Sequence, residues 1–91
     1  MIDITVQGVP CVFNDQALDD FDMLEKLADM DNGNVTAMVG FARGIFGKEQ
    51  LENIKSQLRG EDGICHLEDI ASFINESIVE ASRAKMAEPK N

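Results

Sequence analysis

Apolar and polar positions alternate at the start of the chain. Ile2, Ile4 and Val6 fall on one side and Asp3 and Thr5 on the other, which is strand periodicity. The pair Gln7-Gly8 separates this run from a second β-prone run, "VPCVF" at 9–13. Two such runs joined by two residues ending in glycine predict a hairpin over 2–13. Pro10 has no N–H to give a ladder, so it belongs at an edge. A lone hairpin is not stable in water, so it must lie on helices or pair with another copy.

After "NDQAL" the period lengthens. In "DDFDMLEKLADM", residues 19–30, Phe21, Leu24, Leu27 and Ala28 recur at helical spacing and are expected to face inward. Asp19, Asp20 and Asp22 suit the positive end of that helix's dipole. "DNGN" at 31–34 stops it. Asn34 then suits the N-cap of a second helix over 35–46, "VTAMVGFARGIF", ended by Gly47. A third helix is predicted at 48–59, with Leu51, Ile54 and Leu58 on its inner face, ended by Gly60. A fourth is predicted at 67–84, with Leu67, Ile70, Ile74, Ile78 and Ala81 inward. Residues 85–91 are polar, contain a proline, and are expected to fray.

The expected fold is therefore mainly α, in the α+β class. An N-terminal β-hairpin precedes a compact four-helix domain, and residues 1–84 form one globular unit. At 91 residues there is room for a single domain of marginal stability, which a partner surface or self-association would supplement.

Composition narrows the function. Seventeen acidic against eight basic side chains leave a formal charge of −9. That charge repels phosphate backbones and anionic membranes, so no nucleic-acid or membrane partner is expected. Cys11 and Cys65 fit no metal-ligand spacing and read as free thiols of a reducing cytoplasm. No basic-then-apolar leader opens the sequence, and no apolar run approaches the roughly 18 residues of a membrane span.

The stretch "RGEDGICHLEDIASFI" at 59–74 resembles half of a calcium-binding helix–loop–helix. With Gly63 at the sixth place of that loop, Leu58 falls at the first and Gly60 at the third, so two side-chain ligands are missing. A plain turn fits better. Gly60 would cap the third helix, "EDG" would turn the chain, Ile64 would plug the core, and Glu68 and Asp69 would sit at the next helix's positive end. The segment "GFARGIFGK" at 40–48 has a phosphate-loop outline, but Ala42 replaces the first glycine and Glu49 the hydroxyl residue. His66 beside Cys65 carries no surrounding nucleophile motif. None of the serines lies in the Asp-Ser-Leu setting of an acyl carrier. No catalytic residue, metal site or cofactor is expected.

What remains is the second helix, which is apolar almost all round. Met38, Phe41, Ile45 and Phe46 exceed what one buried face requires. They are either the core of a central helix or a partner-binding face, and periodicity does not separate the two. If they are a face, Phe41→Asp should abolish binding and leave the helices intact. Gly40 and Gly44 each weaken this helix by roughly 1 kcal/mol relative to alanine, which close helix packing would offset.

The order of these segments resembles a known family. "VQGVPCVFN", then "ALDDFDMLEKLADMDNGN", an apolar helix ended by glycine, and "GKEQLENIKSQLRGEDGICHLEDIASFINESI" together look like the small tail assembly chaperones of long-tailed phages and prophages of Gram-positive bacteria. The resemblance runs from about residue 4 to residue 80 and rests on helix boundaries. Phe21 stands where the family has tryptophan. It implies a non-enzymatic role in the host cytoplasm. The partner would be the tape measure protein, with the tail tube protein a further one, and the chain, a short form, would be absent from the finished virion. A homo-oligomer through the hairpin's edge is a further expectation. The alternative is a small acidic regulatory adaptor, or DNA mimic, bound to a basic protein.

Overall fold

In a computed structural model that describes residues 1–87, strands β1 (Ile2–Val6) and β2 (Val9–Phe13) form an antiparallel hairpin. The register runs from Val6 opposite Val9 to Ile2 opposite Phe13. Gln7 and Gly8 both have positive φ, +52° and +79°, as the tight turn that matches strand twist requires. Ile2, Ile4, Val6, Val9, Cys11 and Phe13 are buried on one face, as the alternation dictates.

A short 3-10 turn, Asp15–Asp19, leads into helix α1 (Phe21–Asp31). Helices α2 (Val35–Phe46), α3 (Lys48–Leu58) and α4 (Leu67–Ala87) follow. Asp20 caps α1 by accepting the Asp22 N–H at 2.9 Å, and Asn34 caps α2 by accepting the Ala37 N–H at 3.2 Å. Gly47 ends α2 at φ +77°, and its N–H donates to the Arg43 carbonyl. Helix α3 ends differently from expectation. Arg59 turns extended, at φ −61° and ψ 131°, and Gly60 has no positive φ. Helix α4 continues through residues 85–87, where fraying was expected. The rest of that tail, 88–91, lies outside the described residues.

Helix α1 packs on α2, β1 lies on α4, and β2 meets α2 and α3. Phe46 of α2 sits between Phe13 and Phe73, with ring centroids 6.2 and 6.0 Å away in edge-to-face pairs. These three rings join hairpin, central helix and last helix. Ser77 is fully buried, and its hydroxyl donates to the Phe73 carbonyl one turn back at 2.7 Å.

Two inward faces differ in part from expectation. On α1, Phe21 is 73 % exposed and Leu24 and Ala28 are also exposed, whereas Met23 is buried. The reason is contact with α2: Gly44 leaves room for the Met23 thioether, and Gly40 lies under the Lys26 stem. On α4 the expected Ile74 and Ala81 are buried and Ile70 and Ile78 pack partly on the core; Phe73 and Ser77 join them, and Leu67 alone of the expected face is exposed.

Candidate functional site: an apolar groove with a basic rim

The four residues of the second helix singled out as a partner face are all core. Met38, Phe41, Ile45 and Phe46 are 6, 1, 2 and 7 % exposed. Helix α2 is apolar all round because α1, α3 and the hairpin enclose it. Of the four, Met38 lines a concave surface.

That surface is a groove of about 720 Å³ between α2, α3 and the start of α4. Its floor is Met38, Ala42, Leu51 and Ile74, and its lip is Val39 and Leu67, both more than two-fifths exposed. Beyond Met38 and Leu67 a second hollow of about 300 Å³ runs on toward Asn34, Val35 and Asn75. The sequence places this opening indirectly. Gly47 turns the chain sharply between α2 and α3, and the 59–66 loop carries it across before α4 begins.

The rim is chemically distinct from the rest of the molecule. Arg43, Lys48 and Lys55 surround the groove, with Glu52 the single acid among them. These are three of the eight Lys and Arg of a chain carrying −9. Lys55 pairs with Glu52 at 2.7 Å and holds that carboxyl below its usual range. Among the described residues, Arg43 and Lys48 make no ion pair, so their charges are open to an incoming group.

The 59–66 loop is held from within. Asp62 Oδ1 accepts the Ile64 N–H at 2.9 Å and Oδ2 lies 2.7 Å from His66 Nε2, which together hold the Asp62 carboxyl below its usual value. Gly63, at φ +78°, donates to the Gly60 carbonyl, and Gly60 donates to that of Ile64. Both carboxylate oxygens are thus used by the loop's own turn. Ile64 does not plug the core; it stands outside this closed loop, 53 % exposed. Cys65 lines the groove, and Cys11 is a buried thiol whose pKa burial pushes up. Among the described residues no group of three or more His, Cys, Asp or Glu is placed to hold a metal ion, and no helix is long and apolar enough to cross a membrane.

The β2 edge, an expected route to self-pairing, is occupied. Pro10 offers no N–H, Gln50 takes both backbone groups of Val12, and the Asn14 N–H donates to the Ile45 carbonyl at 3.2 Å.

The groove, its lip and its rim were not singled out by residue patterning, because their members come from three helices and a loop. The one signal for it was the near-continuous apolarity of α2; of the four residues named as its excess, Met38 lines the groove, beside Val39 and Ala42, which were not among them. Compared with known proteins, the chain matches no family model, no curated protein and no solved structure.

Proposed function

We propose that this chain is a non-enzymatic assembly chaperone, the short form of a phage tail assembly chaperone, acting in the cytoplasm of the bacterial host and absent from the finished virion. Its client is the tape measure protein, with the tail tube protein a further partner. The observation that carries the reading is the open apolar groove between α2, α3 and α4. A long helical client exposes apolar stripes that aggregate before assembly. A groove on a strongly acidic, soluble carrier shields such a stripe, and release requires only that binding be weak. Met38 on the floor adapts its shape to different segments.

The test is co-expression with the large tape measure protein encoded downstream, reading that protein's soluble fraction. Solubility should rise with the native chain and fall back with Val39→Asp and Leu67→Asp, both at exposed lip positions that leave the core intact. A client equally insoluble with and without the native chain overturns the reading.

The acidic surface of α1 favours a second reading, a regulatory adaptor for a basic protein. Asp20, Asp22, Glu25 and Asp29 are all exposed there. A tight one-to-one complex recovered with a basic protein, and none with the tape measure protein, would favour it.

A further inference from the structure

The groove has a counterpart on the same molecule. Phe21, Leu24 and Ala28 lie at i, i+3 and i+7 of α1, and all three are exposed, Phe21 by 73 %. At 100° per residue they form one stripe along the outside of the helix. The same spacing puts Glu25 and Asp29 on one flank of the stripe and Asp20 and Asp31 on the other. An apolar ridge with acidic flanks therefore stands on one side of α2. An apolar groove with a basic rim opens toward α3 and α4, away from the Met23–Gly44 contact.

We propose that the α1 ridge of one copy of this chain docks in the α2–α3–α4 groove of the next. Phe21 and Leu24 cover Met38, Ala42 and Leu51, and the carboxylates of Asp20, Glu25 and Asp29 meet Arg43, Lys48 and Lys55. Two features select a second copy as the occupant. The ridge and the groove are complementary in charge sign as well as in polarity, within a chain where basic residues are scarce. The ridge also leaves a phenylalanine in water that nothing among the described residues covers. One protomer's groove cannot be filled by its own α1, which Met23 fixes to α2. The contact is head-to-tail, so a dimer keeps one free ridge and one free groove, and assemblies grow into closed rings or open chains. The contact fills the same groove that the chaperone reading gives to the client, so a second copy and a client compete for it; the inference itself needs only the chain.

Sedimentation velocity of the purified protein tests it. The native chain should associate with rising concentration, and added salt should weaken the association, because exposed charge pairs are screened. Phe21→Asp removes the ridge and keeps the groove. Arg43→Glu combined with Lys48→Glu spoils the groove and keeps the ridge. Each variant alone should be monomeric, with the native circular dichroism spectrum, since all three positions are exposed. Mixed in equal amounts they should form a dimer that grows no further, because one supplies the only intact groove and the other the only intact ridge. If Phe21→Asp loses helix, Leu24→Ser takes its place. A native chain that stays monomeric, variants that associate alone, or a mixture that stays monomeric would each overturn the proposal. Client solubilisation is not involved, so failure here leaves the chaperone reading standing.

Discussion

The side-chain amide of Gln50 pairs with the backbone of Val12 in both directions. Gln50 Oε1 accepts the Val12 N–H at 2.6 Å, and Nε2 donates to the Val12 carbonyl at 2.7 Å. Nε2 also donates to the Phe46 carbonyl at 3.0 Å. One residue of α3 thus imitates a neighbouring strand and ties the hairpin to the helices across 38 residues of sequence. Gln50→Ala leaves these part-buried groups short of partners and should cost about 1–3 kcal/mol in urea unfolding. Gln50→Glu accepts but cannot donate, and should also destabilise. A Gln50→Ala protein with unchanged stability would show that water replaces the amide without loss.

Phe41 is a core residue, so Phe41→Asp should unfold the protein. The side chain is 1 % exposed, and an aspartate there is a buried, unpaired charge. Circular dichroism should show loss of helix, which reverses the expectation drawn from the sequence. Phe73→Ala, at 0 % exposure beside Phe46, should cost about 3–5 kcal/mol through lost burial and the cavity left behind. A small loss would mean that the three-ring contact relaxes freely.

Gly44 and Met23 should be coupled. A Cβ on Gly44 would meet the Met23 Cε and Sδ, the mobile end of a flexible side chain. Alanine at 44 gains about 1 kcal/mol of helix propensity, and displacement of Met23 offsets part of it. In a Met23→Ala background the full gain should appear. A double-mutant cycle on melting curves reads the difference; equal effects in both backgrounds would remove the contact as the reason for the glycine.

Acid should loosen the 59–66 loop. The Asp62 carboxyl is held below its ordinary value, first by the Ile64 N–H and then by His66. A carboxyl with a depressed folded pKa adds stability that is present above its unfolded pKa and is lost as pH falls through the folded one. The protection of the Ile64 amide, measured against its intrinsic exchange rate at each pH, should therefore fall as the pH drops below the usual carboxylate range. Asp62→Ala should show the lower protection already at neutral pH. An Ile64 amide equally protected at both pH values would deny the carboxylate that role.

Much of the architecture was legible in the chain. The hairpin follows from a period of two around Gln7-Gly8, and the four helices from runs of apolar spacing punctuated by Asn34, Gly47 and the 59–66 glycines. These signals are local: a turn residue or a cap acts on its own few neighbours, so the sequence alone determined element order, type and most boundaries. Which face of each helix turns inward was decided by the tertiary structure. Phe21, Leu24 and Ala28 form as good an apolar stripe as Met23, Leu27 and Met30, and only the fit of Met23 against Gly44 selects the second. The same holds for α2, whose all-round apolarity fits core and interface equally until α1, α3 and the hairpin close over Phe41, Ile45 and Phe46. The groove depends on the angle between three helices and belongs to no single segment. No periodicity encodes that angle, because it is set by side chains that meet from distant parts of the chain.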